Sequence, residues 1–155
     1  MGYAVPATPD HAAQLAPNLR PADRREVQAL TGLPPEIVLP QVLRPNTMAG
    51  FTDMGELAVL FGADPVPGFP EVGVIWMVAN DVIVRRPLEF HQSAKAMLAQ
   101  FHRQYPLLTN VMDERNTVHR RWLSLLGFSF VRRIEQWGAE SRPFLEFARL
   151  HDPCA

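Results

Sequence analysis

The run Gly73-Val74-Ile75-Trp76-Met77-Val78-Ala79 is apolar at every position and shows no alternation. A strand of this kind must be covered on both faces, so the chain needs a sheet with layers packed on each side. A long helix is predicted next, with Pro87 near its first position. Its apolar stripe is Phe90, Ala94, Met97, Leu98, Phe101 and Tyr105, and it ends before Pro106.

The segments before this pair are short. Eleven of the fifteen prolines precede residue 71, which breaks the first half into brief elements. Tyr3-Ala4-Val5 makes a short first strand, and Thr8-Pro9-Asp10 starts a helix running from His11 to Leu19. A second helix over Arg24–Leu30 is closed by Gly32, and a third opens at Pro34-Pro35-Glu36 and bends at Pro40. Strands near 47–53 and 56–62 form a hairpin, whereas composition predicts a loop without regular structure from Gly62 to Pro70.

After the long helix, Leu107–Met112 is a strand and Asn116 caps a short helix carrying Val118, Trp122 and Leu125 or Leu126 at helical spacing. Gly127 stops that helix, and Phe128–Trp137 and Pro143–Leu150 are the last two strands, around Gly138–Ser141. The order predicts an α/β fold: a mixed central sheet of about six or seven strands with helices on both faces, in one domain over 1–155.

Charge and cysteine content narrow the function. Residues 1–84 carry four Arg against nine acids (net −5), while residues 85–155 carry ten Arg and Lys95 against seven acids (net +4). The basic half suits a polyanion or phosphorylated cofactor as well as it suits solvated helix faces. Arg115, Arg120, Arg121, Arg132 and Arg133 lack interleaved exposed aromatics, so nucleic-acid binding is not expected. The sequence has neither a membrane-spanning apolar run nor a secretory leader, which predicts a cytoplasmic product without membrane contact. Cys154 is the sole cysteine and is incidental. His91, His102, His119 and His151 show no metal-ligand spacing, and His119 beside Arg120 and Arg121 is expected on an exposed helix face.

The order of elements, with Asn116 followed eleven residues later by Gly127-Phe128, resembles the GNAT superfamily of acyl-CoA-dependent N-acyltransferases, whose closing motif has the form Asn-x-x-Ala-x-x-x-Tyr-x-x-x-Gly-Phe. Within it, Trp76-Met77-Val78, Asn116-Thr117 and Phe144-Leu145-Glu146-Phe147 resemble the internal virion protein A-like proteins of short-tailed phages. The first resemblance implies acetyl-CoA as cofactor. Its pantetheine arm would lie along Met77 and Val78, its phosphates near Arg85 and Arg86, and Asn116 would match the family's asparagine.

The site pattern departs from the family twice. The phosphate loop of the family is Arg/Gln-x-x-Gly-x-Gly/Ala, because only glycine leaves backbone N–H groups bare to an anion. The matching stretch here, Asp81 to His91, contains no glycine, and Pro87 removes a donor. The family's general acid, a tyrosine four residues before Gly-Phe, is replaced by Leu123. Glu71, at the front of the buried strand, could serve as a base through partial burial, but next to Pro70 it is expected to be a solvated loop acid. No catalytic residue is therefore assigned and no bound cofactor is expected. The phage resemblance implies a virion-associated or morphogenesis protein with a degenerate acyl-CoA site, located in the host cytoplasm or the virion, with other phage structural proteins or a second copy as partner. The alternative is an acetyl-CoA-dependent N-acetyltransferase in which Arg85 and Arg86 take the phosphates by ion pairing.

Overall fold

In the computed structural model, which describes residues 2–152, seven strands form one sheet in the order β1-β2-β3-β4-β5-β7-β6. The strands are β1 (Tyr3–Pro6), β2 (Met48–Phe51), β3 (Leu57–Val66), β4 (Phe69–Ala79), β5 (Leu107–Asp113), β6 (Ser129–Trp137) and β7 (Arg142–Leu150). Helices α1 (Pro9–Leu15), α2 (Pro21–Thr31) and α3 (Pro35–Val42) precede β2. Helices α4 (Val82–Arg85) and α5 (Pro87–His102) join β4 to β5, and α6 (Thr117–Leu125) joins β5 to β6. Cys154 lies outside the described residues.

The sheet is covered on both faces, as the unbroken apolar run of β4 requires. Leu60 and Val78 pack with Ala12, Leu15 and Leu39 on the side of α1 to α3, while Leu108, Met112, Leu145 and Phe147 pack with Leu98 and Leu123 on the side of α5 and α6. Asn116 caps α6 as expected, its Oδ1 accepting from the His119 N–H at 3.3 Å, and Gly127 at φ 88° ends the turn that follows.

The stretch from Gly62 to Pro70 is not a loop. β3 runs on to Val66 and pairs antiparallel with β4 across a turn at Pro67-Gly68. Prolines misled the composition argument because β2 ends opposite Phe61, leaving the outer edge of β3 open beyond it. Pro65, opposite Gly73, turns its missing N–H to that open edge, where no rung is lost.

All strand pairs are antiparallel except β4 with β5, and that parallel pairing covers only Val72 to Val74 opposite Leu107 to Thr109. Both strands continue for several residues beyond it. The sheet is split there, between Ile75–Ala79 and Asn110–Asp113.

Candidate functional site

The split between β4 and β5 exposes backbone groups that a continuous sheet would pair. The alternation along β4 turns the N–H and C=O of Ile75, Met77 and Ala79 toward β5. Two of these positions are already engaged. The Asn110 side chain bridges the gap, donating from Nδ2 to the Ile75 carbonyl at 2.6 Å and accepting at Oδ1 from the Val111 N–H at 2.7 Å. At the end of β4 the Ala79 N–H donates to Asp23 Oδ2 at 2.9 Å, and the Ala79 carbonyl accepts from the Arg20 N–H at 3.0 Å. Met77 lies between these two closures.

A polar cluster roofs the split. Asp23 and Glu26 stand one turn apart on α2 and face the N-cap of α6, where Asn116 Nδ2 donates to Asp23 Oδ1 at 3.3 Å and to Glu26 Oε2 at 3.1 Å. Asp23 also holds Arg20 at 2.7 Å, with both side chains buried. Glu26 retains some surface, yet its carboxyl is densely surrounded by protein, and its pKa is pushed up to about 8. Burial is the main cause; the Asn116 hydrogen bond opposes it, and the Asp23 charge adds to it. His119, one turn into α6, is likewise enclosed and not on an exposed face, with its pKa lowered to about 4 chiefly by burial. The cluster therefore carries a protonated carboxyl and a neutral imidazole at pH 7.

The split is also closed from the α5 side. Phe90 packs against Trp122 with ring centroids 4.8 Å apart, and His119 lies 6.0 Å from the same indole. Trp122 Nε1 is buried here without a hydrogen-bond partner. Leu123 points into the core and is 4% exposed.

The remaining residues singled out from the sequence are scattered. Val78 is buried in the layer under α1 to α3, and the Met77 side chain packs with Phe90 and Met97 on the opposite face. Arg85 Nη2 lies 3.2 Å from Glu56 and 3.3 Å from Asp81, and Arg86 is 3.5 Å from Glu89. Both guanidinium groups are thus partnered by carboxylates, at the surface. The stretch after β4 forms the single turn α4 rather than an open loop, with the Arg85 and Arg86 N–H groups bonded to Asp81 and Val82 carbonyls. Glu71 is exposed, as expected of a loop acid, although it lies in β4. Among the described residues no group of His, Cys, Asp and Glu could hold a metal ion. Nor is any helix long and apolar enough to cross a membrane.

Solved structures with the same architecture were found across the whole chain. A GNAT-family acetyltransferase from Bacillus anthracis superposes with a TM-score of 0.71 at 11% identity, over 95% of this chain and 93% of that one. The chain has the GNAT fold. The ribosomal-protein-S18-alanine N-acetyltransferase from Escherichia coli matches with a TM-score of 0.67 at 12% identity, covering 100% of this chain and 99% of that chain. A GNAT-family acetyltransferase from Streptococcus pneumoniae gives 0.59 at 17% identity, over 98% and 100%. No family model and no curated protein matches the sequence. At these identities the likeness carries the GNAT fold alone, and activity has to be argued from the site.

The arrangement does not fit acetyl-CoA in the manner that the GNAT resemblance implies. Pantetheine would need the β4 edge, where Ile75 and Ala79 already have partners. The phosphates would need bare N–H groups where α4 stands, and the thiolate would need a proton donor where Leu123 is buried. Sequence reasoning missed Asp23, Glu26, His119 and Asn110. The only available signal was Asp23, a carboxylate four residues before Val27 on the apolar face of α2.

Proposed function

We propose that this GNAT-fold chain acts by association and not by acyl transfer, as a virion-associated or morphogenesis protein of a bacteriophage with a degenerate acyl-CoA site. The observation that carries this reading is the β4–β5 split closed at both ends, where Asn110 takes the Ile75 carbonyl and Asp23 and the Arg20 backbone take Ala79, leaving Met77 alone of the edge a pantetheine would occupy. Buried N–H and C=O groups that already have partners gain little from exchanging them for a ligand. Support for an interaction role comes from β6, an edge strand with Val131 56% and Trp137 41% exposed. The phage assignment rests on the short matching segments Trp76-Met77-Val78, Asn116-Thr117 and Phe144-Leu145-Glu146-Phe147.

A second reading, an acetyl-CoA-dependent N-acetyltransferase with a rearranged phosphate site, is favoured by the cluster itself. Enclosed groups with displaced pKa values, such as Glu26 and His119, are characteristic of sites that move protons. Calorimetry with acetyl-CoA separates the two. The first reading predicts no saturable binding at millimolar cofactor; a micromolar constant that weakens on replacing Arg85 and Arg86 with Ala establishes the second. Mass spectrometry of purified virions then tests the location, and absence from the particle and its assembly intermediates overturns the phage role.

A further inference from the structure

A cavity of about 160 Å³ lies at the far end of α5 from the split, against the end of α6 and the end of β7. Its polar lining is mainly basic, with Lys95 and His102 from α5, Arg149 from β7, and His151. His102 is 4% exposed, and its Nδ1 lies 2.9 Å from the Tyr105 carbonyl oxygen. A carbonyl only accepts, so Nδ1 carries the proton and Nε2 presents a lone pair. That Nε2 is buried and has no hydrogen-bond partner.

The surroundings define what could satisfy it. His151 lies 5.4 Å from the His102 ring, centroid to centroid. The cavity lining also holds one carboxylate, Asp152, which has an interaction of its own, so two fixed cations, Lys95 and Arg149, face one acid. Burial first, and then the Arg149 and His151 charges, hold His102 below the ordinary histidine range against the opposing Tyr105 hydrogen bond. An orphaned acceptor in a lining that carries a net positive charge calls for a ligand with negative charge and a proton to donate.

We propose that this cavity binds a phosphoryl group that keeps a P–OH, as hydrogen phosphate or the singly protonated form of a phosphate monoester. The P–OH donates to His102 Nε2, and the remaining oxygens meet Lys95, Arg149 and His151. Leu98 and Leu125 on the wall offer apolar surface to a short substituent.

The full chain is titrated with sodium phosphate, methyl phosphate and sodium sulfate at pH 7, with the histidine ring resonances followed by NMR. Sulfate has the same shape but no proton to give. The expected result is saturable one-site binding of phosphate with shifts at His102 and His151, at least five-fold weaker binding of sulfate, and at least ten-fold weaker phosphate binding in the Lys95→Ala/Arg149→Ala variant. Compared at equal concentrations of the P–OH-bearing species, methyl phosphate binding as tightly as inorganic phosphate identifies a monoester site, and a clear preference for inorganic phosphate identifies a free-phosphate site. Non-saturating shifts, sulfate binding as tight as phosphate, or a variant that binds as well as the wild type overturns the proposal. Because Lys95 is exposed, Lys95→Ala alone keeps the test available if the double variant is unstable.

Discussion

At pH 7 Glu26 is protonated and His119 is neutral, and each departs from its unfolded value in the opposite direction. Glu26, raised to about 8, binds its proton more tightly in the folded state. Its contribution to stability is complete below the ordinary carboxyl value and is lost as pH rises toward 8. His119, lowered to about 4, contributes fully above the ordinary histidine value of 6.5, and that contribution is lost as pH falls. Below 6.5 the two slopes oppose each other; above it Glu26 acts alone. Glu26→Gln is therefore expected to gain stability relative to the wild type as pH is raised from 6.5 to 8, seen as a widening difference in urea midpoints. A constant difference would show that Glu26 titrates normally. Asn116 was legible from sequence as a cap, but its Nδ2 contacts with Asp23 and Glu26 were not, since they join residues about ninety positions apart. Asn116→Ala loses the cap and leaves two enclosed carboxyls short of a donor. The expected cost is about 2–4 kcal/mol by chemical denaturation, with Asn116→Asp no better because it adds a third carboxyl.

The β6–β7 hairpin shows how an element can be correctly foreseen and its purpose missed. Its turn at Gly138–Ser141 was readable as a turn, yet it also closes the C-terminus of α2: the Ala139 N–H donates to the Leu30 carbonyl at 3.1 Å and the Glu140 N–H to the Ala29 carbonyl at 3.1 Å. These supply donors to helix-end carbonyls that have no partner within the helix. Gly138 permits the approach, with φ 73° and no side chain; a Cβ would stand 2.5 Å from the Ala29 oxygen. Gly138→Ala is expected to destabilise by about 2–4 kcal/mol, from left-handed strain together with the displaced helix end. Thermal denaturation measures this, and a loss no larger than that of an exposed control such as Ser141→Ala would mean the hairpin is not seated on α2. The turn and both strands of this hairpin were legible because each depends on local signals. Docking of one element on the end of another leaves no local signal.

Across the whole molecule the parallel β4–β5 pairing is the narrowest seam in the sheet, since only three residues on each strand are in register. On one side of it β4 is held by β3 from Val59 to Val66, and on the other β5 is held by β7 along its full length. The sequence of elements announced the two-faced sheet, and the apolar run of β4 made it necessary. The closures across the seam were hidden because Asn110 in a strand resembles any polar residue until its partner is known. They have an observable consequence in hydrogen exchange. Val78 directs its N–H to β3 and Met77 directs its own into the split, so the Met77 amide is expected to exchange at least a hundred-fold faster than that of Val78, a difference of about 2.7 kcal/mol in local opening. Asn110→Ala removes the bridge at Ile75 and should cost about 1–3 kcal/mol through the two backbone groups left without partners. It should also speed exchange at Val111, whose N–H loses its acceptor, while β3 amides such as Leu60 change only with global stability. If Met77 is as protected as Val78 and Asn110→Ala affects all strands alike, the seam is not a separable unit, and the sheet opens only as a whole.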